Sequence, residues 1–200
     1  VALVLLLILG NSLGYIGARR FHLAQREEFR SAILLQQLAD PGPLTGCFNR
    51  RWLEHVFERE STRCAFNGQP LCMLMLDVDH FKKYNDEHGH LAGDYALCLV
   101  AHTLRTQLRP KDSMARYGGE EFVILLPEIE LEEGRQIGER LRQSLEQITS
   151  FYSPVGILPG VSASLGLARM DAKDSLQNLI SRADAALYQA KQQGRNRLCD

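Results

Sequence analysis

The sequence lacks the motifs that mark several common classes of protein. It has no Gly-x-x-x-x-Gly-Lys-Ser/Thr loop, which argues against a P-loop nucleotide site. None of its five cysteines forms a Cys-x-x-Cys pair, and none shares a metal-ligand spacing with the six histidines. A net charge of −1 gives no electrostatic reason to expect a nucleic-acid partner. The cysteines are scattered, odd in number and mostly flanked by apolar residues, which is typical of buried thiols in a reducing compartment.

Charge is also absent from the first 18 residues, which are mostly apolar. A membrane span needs about 20 such residues, so residues 1–18 are predicted to be a partial transmembrane helix, and a buried helix is the alternative. No initiating Met and no basic segment precede the run, which argues against an intact signal peptide. The basic flank of Arg19, Arg20, Arg26 and Arg30 favours an inner-membrane anchor with the rest of the chain in the cytoplasm.

Glycine and proline are missing from residues 21–38, where apolar residues recur at three- and four-residue steps. Residues 19–40 are therefore predicted to form a helical stalk that pairs with its copy in a dimer. The Pro-Gly-Pro sequence at 41–43 ends this helix, and the domain boundary is placed there. Residues 41–200 are predicted to form one domain.

The strongest local pattern after that boundary is Arg116 and Tyr117 followed by Gly-Gly-Glu-Glu-Phe at 118–122. It predicts a strand, a tight hairpin and a buried strand. Two adjacent glycines permit positive φ and leave space for a phosphate or ribose, and an acid beside them can hold a divalent cation. An ordinary hairpin with two solvated glutamates is the alternative.

A second source of carboxylates is the apolar run 71–76, which closes on Asp77 and Asp79. Such a run is typical of a strand that is buried on both faces. If this strand neighbours the hairpin, Asp77 and Glu120 converge. Hard oxygen ligands suit Mg²⁺ when a nucleotide's phosphates complete its coordination, and two such ions can clamp the attacking and leaving oxygens at phosphorus.

Other polar residues allow two interpretations. Asp94 is placed in the first turn of a helix that Gly93 is predicted to open, where an acid complements the helix dipole; together with Asn85 it can equally present an acid and an amide to a base edge. Lys191 and Arg195 lie at the end of the last predicted helix, where basic residues also complement the dipole.

Five spaced motifs, taken in order, resemble a GGDEF-domain diguanylate cyclase over about residues 40–200, in its Gly-Gly-Glu-Glu-Phe form. The resemblance implies an α/β (α+β) fold, with a central, mostly antiparallel sheet flanked by helices as in nucleotidyl cyclases and polymerase palms. It implies that two GTP condense to cyclic di-GMP and two pyrophosphates in a homodimer, with two Mg²⁺ or Mn²⁺ ions in each active site. The motifs lie at residues 44–51, 77–82, 85–94, 116–122 and 185–196.

The resemblance also implies roles for individual residues of this chain. The implied metal ligands are Asp77, Glu120 and the Val78 carbonyl, and Asp79 supports the site. The implied catalytic residues are Asp77, Lys82, Glu120 and Glu121. The implied substrate-binding residues are Phe81, Asn85, His90, Asp94, Gly118, Gly119, Lys191 and Arg195, of which Asn85 and Asp94 read guanine while Lys191 and Arg195, with Lys82, meet phosphates.

The family's product-inhibition motif, Arg-x-x-Asp, is present from Arg109 to Asp112, and five residues separate it from Gly118. An exposed salt bridge is the alternative for this pair. One departure from the family pattern is Gly42, which stands where an Asp is usual, and it puts the coupling of linker and domain in question.

Two other functions stay open at the level of sequence. The first is a module that senses GTP or cyclic di-GMP without catalysis, which loss of Asp77 or Glu120 would have favoured. The second is a cyclase for another base, against which Asp94 speaks because relatives with relaxed specificity carry serine there.

Overall fold

The computed structural model describes residue 42 and residues 44–172 and 174–200. The predicted transmembrane helix at 1–18 and stalk at 19–40 lie outside these residues. Among the helices that are described, none is both long and apolar enough to cross a bilayer.

Helices and strands are interspersed along the described chain. The helices are α1 (Arg50–Asn67), α2 (Phe81–His88), α3 (His90–Gln107), α4 (Leu131–Glu146) and α5 (Leu176–Gln192). The strands are β1 (Leu71–Val78), β2 (Ser113–Arg116), β3 (Glu121–Pro127), β4 (Ser150–Ser153), β5 (Gly156–Pro159), β6 (Ala163–Arg169) and β7 (Leu198–Cys199).

Five of the strands form one sheet in the order β2-β3-β1-β6-β7, and β4 pairs with β5 in a separate hairpin. Every pairing in the large sheet is antiparallel except that of β6 with β7. The central strand, β1, is buried along all of its eight residues, because β3 and β6 flank it and helices cover both faces. The predicted fold, a mostly antiparallel sheet flanked by helices, is confirmed.

Side chains of β1 alternate between two hydrophobic cores, one on each face of the sheet. Cys72, Leu74 and Leu76 enter the core that α2, α3 and α4 cover. Met73 and Met75 enter the core on the opposite face, which α1 and α5 cover. An unbroken apolar run is needed because a strand covered on both faces has no solvent side.

Two features of the fold differ from the predictions. Helix α3 begins at His90 rather than at Gly93, since Gly89, with φ +87°, already separates it from α2. Gly93 is needed for packing inside the helix, because a Cβ there would lie 1.8 Å from Asn85 Oδ1. The hairpin β4–β5 and the short β7 were not predicted, since four- and two-residue strands carry too little periodicity to be recognised.

The loop before α1 is closed by backbone hydrogen bonds. Gly42 N–H donates to the Cys47 carbonyl at 2.8 Å, and Gly46 N–H donates to the Gly42 carbonyl at 3.0 Å. A Cβ added at Gly42 would meet its nearest atom, the Cys47 oxygen, at 3.6 Å, which is ordinary contact. The departure from Asp at this position therefore has no steric cause.

Candidate active site

The pairing of β1 with β3 brings the two predicted sources of carboxylate together. Asp77 lies directly opposite Glu121 in the antiparallel register, and Val78 N–H donates to the Glu120 carbonyl at 3.3 Å. Asp77 is 8% exposed, whereas Glu120 and Glu121 are half-buried. The adjacency of strands on which the predicted site depended is therefore present.

The turn between β2 and β3 is held by its own backbone and by an arginine. Tyr117 N–H donates to the Glu121 carbonyl at 2.8 Å, and the Arg116 guanidinium donates to the Gly119 carbonyl, with Nε at 3.0 Å. The Arg50 guanidinium lies 5.0 Å from the centre of the Tyr117 ring, where a cation–π contact fixes the ring. The position of the acids on this turn is thus set by neighbouring residues as well as by the turn itself.

Two purposes were predicted for the glycines of the turn, positive φ and space for a ligand, and only the space is present. Neither is among the residues with positive φ, so left-handed backbone is not what requires them. A Cβ at Gly118 would lie 2.4 Å from Glu121 Oε2, so this glycine makes room for that carboxylate. A Cβ at Gly119 would meet no heavy atom within 4 Å, and this open space is available to a ligand.

Burial and mutual repulsion disfavour negative charge in this group of acids. Burial raises the pKa of Asp77, and the hydrogen bond and charge of Lys191 oppose that rise. Burial, followed by repulsion from Asp77, also raises the pKa of Glu120 and of Glu121. A divalent cation among these carboxylates would relieve both effects, since it stabilises the ionised form of each.

The basic residues predicted to meet phosphates approach the acids from α5 and the turn that follows it. Lys191 Nζ lies 2.8 Å from Asp77 Oδ2, and its side chain is 31% exposed. Arg195 is close enough that its charge lowers the pKa of Asp77. Sequence alone left helix-dipole complementation as the alternative for both residues; the structure adds that Lys191 contacts Asp77 and that the charge of Arg195 acts on the same carboxylate.

Asp79 lies just beyond β1 and accepts hydrogen bonds from three donors. Ser164 Oγ donates to its Oδ1 at 2.6 Å, while Ser162 Oγ and Asn196 N–H donate to its Oδ2 at 2.8 and 3.1 Å. Asp79 is 6% exposed. The supporting role predicted for Asp79 corresponds to these three hydrogen bonds. Reasoning from sequence missed both serines, because no local pattern links residues on different strands.

The pair expected to read guanine spans α2 and α3, where the two helices pack. Asn85 lies on α2 with its Oδ1 buried and without a hydrogen-bond partner among the described residues. Asp94 is half-buried in the second turn of α3 and not in the first turn as predicted, because the helix begins at His90. A buried acceptor without a donor costs free energy, and a ligand that donates a hydrogen bond there would recover it.

The remaining substrate-binding candidates occupy different environments. Lys82 is exposed on the first turn of α2, and His90 is exposed at the start of α3. Phe81 is 7% exposed and its side chain belongs to the core.

Arg109 and Asp112 form a closely bonded pair in the turn that follows α3. Arg109 Nη2 lies 2.6 Å from Asp112 Oδ1, and Arg109 N–H donates to Asp112 Oδ2 at 2.8 Å. The Asp112 side chain is 1% exposed, whereas that of Arg109 is 32% exposed. The exposed salt bridge considered from sequence is therefore half right, since only the arginine reaches solvent. The pair borders a cavity of about 600 Å³ that Arg59 and Arg105 also line.

The residues predicted to hold metal fit that role by the chemistry of their donors. Within residues 44–172 and 174–200, no three His, Cys, Asp or Glu side chains form a ready-made metal cluster. Asp77, Glu120 and the backbone of Val78 nevertheless offer hard oxygen atoms, from β1 and from the turn that precedes β3. Mg²⁺ accepts one or two carboxylates and takes its other ligands from water and substrate phosphates.

Comparison with known proteins agrees with this geometry. The family model described as diguanylate cyclase, GGDEF domain, matches residues 39–197. Diguanylate cyclase DgcP of Pseudomonas aeruginosa is 43% identical over 163 residues, which are 82% of this chain and 24% of that protein. Diguanylate cyclase DgcM of Escherichia coli is 36% identical over 172 residues, which are 86% of this chain and 41% of that protein. The chain thus spans less than half of either relative.

Solved structures show the same fold. The GGDEF domain of DgcB from Caulobacter crescentus, in complex with c-di-GMP, superposes with a TM-score of 0.76 at 31% identity, over 80% of this chain and 92% of that one. A structure described as the active GGEEF domain of a diguanylate cyclase from Vibrio cholerae gives 0.67 at 32% identity, over 76% and 96%. The family match covers well over half of the chain. The chain therefore belongs to the GGDEF-domain diguanylate cyclase family.

Proposed function

We propose that this chain is a diguanylate cyclase that condenses two GTP molecules into cyclic di-GMP and two pyrophosphates. The observation that carries the proposal is the register of β1 and β3, which sets Asp77 opposite Glu121 with Glu120 beside them. The named activity of the relatives and the c-di-GMP bound to the Caulobacter domain support it.

The reaction requires the 3′-hydroxyl of one GTP to displace pyrophosphate from the α-phosphorus of the other. Asp77, Glu120 and the Val78 carbonyl would hold Mg²⁺ or Mn²⁺, two ions in each site, and these supply charge stabilisation at the attacking and leaving oxygens. Lys191 lies within reach of the same acids and is placed to bind phosphate oxygens, as is Arg195. The metal ions and the two basic side chains would then offset the negative charge of the phosphates, which the acids alone would repel.

We propose further that the Gly-Gly-Glu-Glu-Phe turn is a competent form of the site. The Vibrio domain described as active carries the GGEEF form. Glu120 and Asp are both carboxylates, and the open space at Gly119 is suited to a nucleotide.

The proposal includes a homodimer with inhibition by product. Each subunit binds one GTP in this scheme, so the two substrates meet only when two domains face each other. Holding them together removes an entropic cost of several kcal/mol from the barrier. Cyclic di-GMP would bind at Arg109, whose guanidinium is oriented by Asp112 and exposed at its outer side. Arginine suits this role because its planar donors match phosphate oxygens.

The proposal also places the protein at the inner membrane. Residues 1–18 are uncharged and mostly apolar, and Arg19 and Arg20 follow. Basic residues beside a span favour the cytoplasmic side, where GTP is available. Membrane fractionation of the full chain tests this part separately. Detergent is expected to release the protein from the membrane fraction, whereas high salt is not.

The central test is incubation of the purified chain with GTP and MgCl₂, with products separated by chromatography. Wild type is expected to form cyclic di-GMP, and Glu120→Gln to lose at least about a hundredfold in rate because it removes a metal-binding charge. Glu132→Gln is the matched control, since Glu132 is exposed on α4 and its one ion pair among the described residues is with Arg135. Removal of divalent ions with EDTA should stop wild type and be reversed by excess MgCl₂.

Three further outcomes separate the parts of the proposal. Arg109→Ala is expected to turn over GTP for longer and to reach a higher level of product, because inhibition is lost. GTP binding without any product, at every protein concentration, would instead favour a sensing module. An equal rate with Glu120→Gln and wild type would contradict the assigned metal site.

A further inference from the structure

The turn that carries Arg195 has an unusual backbone. Arg195 and Asn196 adopt φ of +63° and +44°, which are left-handed values for residues that have a Cβ. Such conformations are unfavourable in isolation and persist only where the surrounding structure holds them. The surroundings of this turn therefore identify the groups that place Arg195.

The sheet holds the turn from one side. Asn196 N–H donates to Asp79 Oδ2 at 3.1 Å, and Arg197 contributes its carbonyl to Leu165 N–H at 2.9 Å. Asp79 is itself fixed by Ser162 and Ser164, and Ser164 is fully buried. Asp79 is a rigid anchor for the turn, because the two serines that fix it come from β6 and from the residue just before that strand.

Helix α4 holds the turn from the other side. Arg142 Nη1 donates to Asn196 Oδ1 at 2.8 Å, and Asn196 Nδ2 donates to Glu146 Oε1 at 2.7 Å. The Arg142 guanidinium also bonds Glu139 and Glu146, each at 2.8 Å, and its side chain is 13% exposed. An arginine only donates and a glutamate only accepts, so these partners fix both ends of the Asn196 amide.

We propose that Arg142 and Asn196 are positioning residues for nucleotide phosphate, which act by fixing the turn that presents Arg195. This inference rests on the proposed function, because it assigns Arg195 to a phosphate. Neither positioning residue lies among the predicted substrate contacts. Arg142 acts through the side chain of Asn196, and Asp79 completes the same connection through the backbone.

Loss of Arg142 should affect the binding of phosphate more than the binding of the base. Without Arg142, Asn196 Oδ1 loses its charged donor and the turn loses its connection to α4. The left-handed residues can then relax, and the Arg195 side chain is no longer held in one place. Affinity for triphosphate should fall, whereas contacts to the base are made by other elements and should be unaffected.

The first measurement is binding of GTP and of guanosine, in Mg²⁺, to wild type, Arg142→Met and Arg135→Met. Methionine retains an apolar stem without the guanidinium. Arg135 is the matched control, since it also lies on α4 and pairs with Glu132 and Asp200 rather than with the turn. Arg142→Met is expected to lower the affinity for GTP about tenfold and the affinity for guanosine by less than about twofold. Arg135→Met is expected to change neither affinity.

A double-mutant cycle separates positioning from a general structural effect. Because Arg142 acts through Arg195, the double variant Arg142→Met/Arg195→Met should bind GTP within about twofold of Arg195→Met alone. The inference would be overturned if the double variant lost affinity by the product of the two single-variant factors. Equal weakening of GTP and guanosine by Arg142→Met would also overturn it.

A third readout needs no nucleotide. Amide hydrogen exchange in residues 193–198 should become about tenfold faster in Arg142→Met and stay unchanged in Arg135→Met. Unchanged exchange would contradict the holding role even if the enzyme is active. If wild type binds no GTP, the proposed function fails first and the phosphate part of this inference fails with it, whatever the exchange shows.

Discussion

Gly166 in β6 provides the most demanding test of how α5, and with it Lys191, is placed. A Cβ at this position would lie 2.0 Å from the Ala183 carbonyl oxygen and 2.3 Å from the Leu187 nitrogen. Both atoms belong to the backbone of α5, so no side-chain rotation relieves the clash. Gly166→Ala therefore requires α5 to move away from the sheet by about 1 Å or more, since non-bonded atoms prefer separations of about 3.5 Å.

The magnitude follows from the two consequences of that movement. Overpacking costs about 1–3 kcal/mol, and a rigid backbone neighbour favours the upper end. A gap of about 1 Å also weakens the contacts of buried residues such as Leu179 and Leu187. We expect the free energy of unfolding to fall by about 3 kcal/mol or more, which lowers Tm by about 6–12 °C in a domain of this size.

The assay is urea and thermal unfolding of Gly166→Ala beside Gly134→Ala. Gly134 lies on α4, against the opposite face of the same strand, and a Cβ there would first meet Leu167 Cδ1 at 3.2 Å. That methyl can move, and Ala favours the helix, so a change within about 1 kcal/mol is expected for the control. Gly166→Ala with stability within about 0.5 kcal/mol of wild type would refute the close approach of α5 to β6.

Three smaller predictions concern other regions. Burial raises the pKa of the Cys72 thiol to about 12, so it should resist a thiol reagent at pH 8 in the folded protein while the partly exposed Cys199 reacts; rapid labelling of Cys72 would contradict its burial. The hydrogen bond and charge of Lys111 lower the pKa of Glu128. The ionised Glu128 should therefore stabilise the fold above the carboxyl pKa of the unfolded chain, and this contribution should be lost as the pH falls through the lower, folded pKa. The difference in urea stability between wild type and Glu128→Gln should accordingly shrink below about pH 4. Asn49 accepts from Trp52 N–H as the N-cap of α1, so Asn49→Ala should cost about 1 kcal/mol in the same assay, and no change would show that the cap is dispensable.

Much of the fold follows from local sequence. The helix that ends near Gln192 was predicted from its apolar spacing, and Ser175 caps its start as such residues usually do. The buried strand β1 was predicted because its run is apolar throughout, and it ends at Val78, one residue before the predicted end. Hairpin β4–β5 escaped prediction because its pairing, rather than its composition, defines it.

The candidate site divides in the same way. The sequence by itself determined which acids, amides and bases this domain carries, since the motifs around Asp77, Glu120 and Lys191 are local in the chain. Only the tertiary structure decided that Glu121 faces Asp77, that Lys191 reaches Asp77, and that Asn196 is held between Asp79 and Arg142. The physical reason is that strand register and helix packing join residues far apart in sequence, and no local propensity encodes such pairings.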